Sequence, residues 1–313
     1  MPAILTVTLN PAVDLYTSTP RVEPTHKLRC GPALLHPGGG GINVARVLTR
    51  LGIDALALHA AGGATGRLLA ELLQAEGVRS HAIPIAGETR QSFSAHEQAS
   101  GLDYRFVLPG PQLAEREWQA CLDAAAAQSV DGALAVASGS LPPGAPTDFY
   151  ARLARRLADV GVRLVLDTSG PALAAALQAG VYLVKPSLRE LRELTGTALD
   201  TPAQQLAACR ALVRLGQAEV VALSLGAEGA LVVSAQQAWT AAALQVPVAS
   251  TIGAGDSFVA GLVASLAGGA GLRDALARGS AAAAAALLTS GTALCQADDV
   301  ARLLPQVRVR ALE

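Results

Sequence analysis

Aromatic residues are scarce, making up 3% of the 313 residues, and there is a single methionine. A core of stacked rings is therefore excluded. With 51% apolar residues, the interior is expected to be Leu, Val and Ala, with helices lying close to strands. Cysteine is sparse too. Cys30, Cys121, Cys209 and Cys295 stand far apart without a Cys-x-x-Cys pair, so neither a zinc site nor a disulfide framework is indicated. Buried or semi-buried free thiols are expected instead. Charge is also low, at 16% of residues with a formal net charge of −1. Nothing in that balance attracts a nucleic acid, and the apolar content excludes a disordered chain. Long hydrophobic runs are missing: Phe258 to Leu272 is broken by Gly261, Gly268, Gly269 and Gly271 and is too short to cross a bilayer. No basic region precedes the strand pattern that follows Met1, so no secretory signal is read and a cytoplasmic protein is expected. No Gly-Lys pair occurs, which rules out a Walker A loop.

What is present is an alternation of strand-like and helix-like segments. Ile4 to Leu9, Ala55 to Ala60, Ala133 to Ala137, Arg163 to Leu166, Val181 to Val184, Val220 to Leu225 and Ala230 to Val233 read as strands. Ile42 to Leu51, Arg67 to Glu76, Thr147 to Val160 and the Ala-rich stretches from Ser257 onward read as helices. Repeated β-then-α units imply one α/β domain with a mostly parallel sheet covered by helices on both faces. Ligands of such sheets bind beyond the carboxyl ends of the strands. Two insertions, about residues 12–36 and 88–108, break the rhythm. The second reads as a hairpin turning at Ala99-Ser100-Gly101, and together they suit a small β-sheet serving as a lid, a dimer surface, or both. Phe93, Tyr104 and Phe106 would leave that sheet with an apolar face, so a homodimer through the lid is expected.

Several constellations carry chemistry. In Thr251-Ile252-Gly253-Ala254-Gly255-Asp256, glycines let successive N–H groups point to one spot at a helix start, where an anion is favoured. Asp256 could take a proton from a hydroxyl held there, an arrangement for phosphoryl transfer, although an isolated G-x-G-D reads first as an ordinary N-cap. Pro37-Gly38-Gly39-Gly40-Gly41-Ile42-Asn43 lets backbone approach a ligand closely while Asn43 offers a donor and an acceptor; alone, it could equally be a structural loop. Asp14, just past the first strand, could bind two sugar hydroxyls or be a solvated loop acid. Lys27, Arg29, Arg90 and Arg105 all fall in the two lid segments, where a cluster of cations would suit a sugar phosphate. Taken singly, each would be a solvated charge. Ser140 could present a hydroxyl at the rim after the Ala133 strand.

In this order the motifs resemble the phosphofructokinase B/ribokinase family over essentially the whole chain. The resemblance rests on Thr8-Leu9-Asn10-Pro11-Ala12-Val13-Asp14, on the glycine run into Asn43-Val44-Ala45-Arg46, and on Gly253-Ala254-Gly255-Asp256. Lys27-Leu28-Arg29-Cys30, Tyr104-Arg105-Phe106-Val107 and Gly39-Gly40-Gly41 look most like the minor type of 6-phosphofructokinase within it; sister enzymes typically carry Lys at the position of Gly40. The resemblance implies a ribokinase-like fold and ATP-dependent phosphorylation of a sugar phosphate, fructose 6-phosphate first, with fructose 1-phosphate or tagatose 6-phosphate as alternatives. A non-catalytic sugar-binding protein on the same fold is the alternative from another class. It further implies Asp256 as the base, with the N–H groups of Gly253, Ala254 and Gly255 as the anion hole. Asp14, Gly39, Gly40, Asn43 and Ser140 would meet the sugar, and Lys185, Ser187, Ser224, Gly226 and Gly229 the nucleotide. Magnesium would bridge the phosphates near Glu190, and a potassium ion would sit among carbonyls at Ser250, Ile252, Ala286, Thr289, Gly291 and Ala293. Ser187 stands where the family has Asn, so a weaker or water-mediated contact is expected there.

Overall fold

The computed structural model describes residues 4–313. In chain order β1 (Ile4–Thr8), β2 (Ala12–Thr19), β3 (Leu34–Gly38), α1 (Gly40–Arg50), β4 (Ala55–Ala61), α2 (Gly63–Ala75) and β5 (Ser80–Pro84) come first. A hairpin of β6 (Arg90–Glu97) and β7 (Leu102–Val107) follows, then α3 (Glu115–Ala127), β8 (Leu134–Ser138), α4 (Phe149–Ala158), β9 (Arg163–Asp167), α5 (Gly170–Ala179) and β10 (Val181–Val184). The chain continues through α6 (Leu188–Thr195), α7 (Pro202–Arg214), β11 (Ala218–Ser224), β12 (Ala230–Ser234) and β13 (Ala238–Ala241). It closes with α8 (Ala254–Ala267), α9 (Leu272–Leu287), α10 (Ala297–Leu303) and β14 (Val309–Leu312).

Ten strands form one sheet in the order β14-β13-β12-β11-β10-β9-β8-β1-β4-β5. From β11 to β5 every pairing is parallel, and the β12–β14 edge is antiparallel. Alternation along each strand feeds two cores. Leu5, Val7, Ala135, Leu164 and Leu166 face the layer of α3, α4, α5 and α7. Ile4, Leu134, Val136 and Val165 face α1, α8 and α9. Small residues do more than fill this second layer: a Cβ on Gly261 of α8 would lie 2.7 Å from the Arg278 carbonyl oxygen of α9, so the helices cross almost backbone to backbone.

The two insertions meet as expected. They make a separate four-stranded sheet, β3-β2-β6-β7, in which β2 and β6 are parallel. One face is apolar and open: Phe93 and Phe106 pair with ring centroids 5.9 Å apart, beside exposed Leu35 and Leu102, while Tyr104 is half-buried. Helix α2 begins earlier than its apolar period indicates, because the Glu88 carboxylate, remote in sequence, accepts from the N–H groups of Ala64 and Thr65 and caps it. All four cysteines are free; three are buried, but Cys30 is exposed on the loop between β2 and β3, against the expectation of shielded thiols. Among the described residues no helix is long and apolar enough to cross a membrane.

Candidate active site

The carboxyl ends of β1, β8, β9, β10 and β11 open onto one cleft, with the lid sheet at its rim. Its floor is the start of α8. Gly253 precedes the helix at φ 76°, a left-handed conformation that suits glycine, and the first-turn N–H groups that follow have no partner within the helix. Asp256 sits in that first turn. Asn43 Nδ2 donates to Asp256 Oδ2 at 2.8 Å, which brings α1 and α8 together.

Asp256 is lined by protein on most sides. Burial drives its pKa up to about 7, and the charges of Asp167 and Asp14 add to the rise, while the Asn43 hydrogen bond and Lys185 oppose it. Lys185 is buried and pairs with Asp167, Nζ to Oδ1 3.1 Å. Burial alone would lower its pKa, but the carboxylates of Asp167, Glu190 and Asp256 outweigh that and hold it charged. Asp14, on β2, is raised by burial and pulled back by Arg105, Arg90 and Arg46.

The glycine run is a matter of clearance. Gly39 has φ 112°, and a Cβ on Gly41 would meet the Val7 carbonyl oxygen at 2.7 Å. A side chain at Gly40 would meet Ser138 Oγ at 2.1 Å, so a lysine there would require Ser138 to move. Ser140 lies at the rim, accepting from Asn10 Nδ2 at 3.1 Å.

The expected cations separate into two groups. Arg90 and Arg105 come close enough to Asp14 to act on its charge. Arg90 is also committed to the fold, donating to the carbonyls of Leu108 at 2.8 Å and Asn10 at 3.0 Å, with its Nε buried and unpartnered. Lys27 and Arg29 do not join them. They lie on the exposed loop between β2 and β3, a stretch with few apolar residues to pin it down.

The nucleotide-side residues assemble beside Gly255. A cleft of about 450 Å³ is lined by Ser224, Gly226, Gly229, Thr251, Gly255 and Phe258, among others. Ser187 caps α6 instead of reaching into the open: its Oγ accepts from Glu190 N at 3.2 Å, and Glu190 Oε2 accepts from Ser187 N at 2.8 Å. Among the described residues no three His, Cys, Asp or Glu side chains converge on one point. The carboxylates of Asp167 and Glu190 beside Lys185 therefore fit a magnesium ion held mainly by phosphates and water, not a protein cage. For potassium, Ala249 N donates to Leu287 O at 2.7 Å, which sets the 250–252 and 286–293 segments side by side. Among the described residues, four of the six carbonyls are free to fit the ion; that of Ala293 is taken by Arg50, and that of Ala286 accepts from Thr289 Oγ1 at 2.9 Å. The lid touches this loop through Asp103, which accepts from Ser250 Oγ at 3.3 Å and pairs with His96 at 3.0 Å.

Pattern reading gave no role to Asp167, to Asn10 or to the buried Arg46. Asp167 had a usable signal, being the residue at the carboxyl end of a recognised strand.

A glycine-built helix start, a carboxylate with its pKa near neutrality, a buried lysine and an adjoining nucleotide-sized cleft define a phosphoryl-transferring enzyme of the ribokinase-like α/β class. Residues 8–299 match the model of the pfkB family carbohydrate kinases, and the chain belongs to that family. It is 46% identical over 301 residues to the ATP-dependent 6-phosphofructokinase isozyme 2 of Mycobacterium tuberculosis, covering 96% of this chain and 88% of that one. The isozyme 2 of Escherichia coli is 41% identical over 304 residues, covering 97% and 98%. The crystal structure of phosphofructokinase-2 from Escherichia coli in complex with fructose-6-phosphate superposes with a TM-score of 0.93 at 39% identity, covering 98% of this chain and 99% of that chain. A potassium complex of the same enzyme gives 0.94 at 40%, with the same coverage.

Proposed function

We propose that this protein transfers the terminal phosphoryl group of ATP to fructose 6-phosphate, giving fructose 1,6-bisphosphate. The observation that carries the reading is Asp256, poised near neutral pH at the open start of α8 with Asn43 holding one of its oxygens. The acceptor hydroxyl would lie between that carboxylate and the free N–H groups of Gly253, Ala254 and Gly255. As the phosphoryl group arrives, Asp256 takes the hydroxyl proton and the N–H groups meet the equatorial oxygens. Asp14, Gly39, Asn43 and Ser140 would orient the sugar, while Lys185, Ser224, Gly226 and Gly229 would hold the nucleotide. Magnesium would neutralise the phosphates, and potassium would support the loop under α8. The relatives' substrates and Arg105 and Arg90 near Asp14 favour a phosphosugar, and the clearance at Gly40, where sister enzymes carry lysine, favours fructose 6-phosphate among them. The lid face would pair two subunits.

The test is ADP release measured across fructose, ribose, fructose 1-phosphate, tagatose 6-phosphate and fructose 6-phosphate, with and without potassium. Each charge-assisted contact to a phosphate contributes about 1.5–3 kcal/mol, so two of them separate fructose 6-phosphate from free fructose by roughly 10²–10⁴ in kcat/KM. If free fructose or ribose served as well, the substrate assignment would fall and only the family would stand.

A further inference from the structure

Asn43 can serve Asp256 only if its amide nitrogen, not its oxygen, faces the carboxylate. We infer that Arg46, with Glu76 behind it, is the positioning residue that fixes this orientation. The inference rests on the catalytic role proposed for Asp256.

Arg46 lies one turn beyond Asn43 on α1 and is wholly buried. Its Nη1 donates to Asn43 Oδ1 at 3.2 Å, to the Pro37 carbonyl at 3.0 Å and to the Thr292 carbonyl at 3.2 Å. The other side of the guanidinium is spent on Glu76, with Nε to Oε2 at 2.9 Å and Nη2 to Oε1 at 2.6 Å. A planar fork gripped along one edge cannot rotate, so Nη1 is aimed and stays aimed. Glu76 sits at the carboxyl end of α2, where the helix dipole disfavours an acid; Arg46 and Arg50 are what hold it there.

A flipped amide would turn its NH2 toward a cationic donor and its oxygen toward a carboxylate, two repulsive contacts in place of two hydrogen bonds. Asn43 therefore binds Asp256 Oδ2 in one sense only, leaving Oδ1 for the incoming hydroxyl. Without Arg46 the amide would rotate, and the carboxylate would lose its fixed orientation toward substrate. The geometry links Glu76, Arg46, Asn43 and Asp256 in a line from a surface helix end to the reacting centre.

The test is a mutant cycle on the full-length protein. Arg46→Met should lower kcat by about 10–100-fold, the range seen for partners that orient active-site ligands, with KM for ATP changed less than threefold. Glu76→Gln, which keeps a partner for Arg46 but loosens its grip, should give a smaller loss and serves if Arg46→Met folds poorly. In an Asn43→Ala background both losses should vanish, because there is no amide left to aim. A merely structural role would multiply the losses instead, and that outcome overturns the inference, as does an Arg46→Met kcat within twofold of wild type. A second readout does not need turnover. The Asn43 side-chain NH2 signal in 15N-asparagine-labelled protein, assigned by its absence from Asn43→Ala, should be slow to exchange in wild type and fast in Arg46→Met. An unchanged signal in Arg46→Met refutes the orientation claim. Failure of every sugar in the activity assay would refute the catalytic reading while leaving this arm intact.

Discussion

One carboxylate does two opposed things at the residue scale: it is buried enough to hold its proton near neutrality, yet close enough to Lys185 and Asn43 to release it. A base must be deprotonated to act, and burial, with the nearby Asp167 and Asp14, places the Asp256 pKa at about 7. kcat/KM should therefore fall as pH drops through about 7 and level off above it. Asp256→Asn should remove this limb and lower kcat by roughly 10²–10⁴, the usual worth of a general base. A wild-type limb near pH 4, or more than a tenth of the turnover left in the variant, would contradict the assignment. Asp256 was legible from its neighbours because its setting is built by adjacent glycines. Asp167 showed only its place at a strand end, and the role of Arg46 was hidden, since burial and pairing across α1, α2, β9 and β10 have no local signature.

Elements were legible where their period was strong. The parallel strands and the lid hairpin match the pattern closely, since alternating or β-branched runs bounded by turns mark them. Short strands at one end of the sheet such as β13 and β14, four residues each, offer too few positions to show a period. The start of α2 was hidden for another reason: its cap, Glu88, comes from a different part of the chain. The abundance of alanine pointed to close layers but not to the α8–α9 crossing. There the clearance is set by main chain, which cannot step aside as a side chain can. Gly261→Ala should lower the stability by about 1–3 kcal/mol, read from the urea midpoint, despite alanine's better helix propensity. Gly268→Ala is the control: its added Cβ would find nothing nearer than 3.4 Å, and the change should stay within about 0.5 kcal/mol.

The lid decides the behaviour of the whole molecule. Phe106 is 56% exposed and Leu102 60% exposed on one face of a four-stranded sheet, an open apolar face of the kind that marks an interaction surface. Light scattering should give about twice 31.7 kDa in the micromolar range, and Phe106→Asp should move the mass to that of one chain. A wild-type mass of one chain would remove the reason for the exposed face. The same sheet also orders events in time. β2 pairs with β6, and between them the chain must lay down β3, α1, β4, α2 and β5. Loop-closure entropy delays such a pairing until the intervening segment has collapsed, so the lid closes only after β3, α1, β4, α2 and β5 have been drawn in. A newly made chain thus has no finished sugar rim until those five elements are in place, and its apolar lid face comes into being at the same moment.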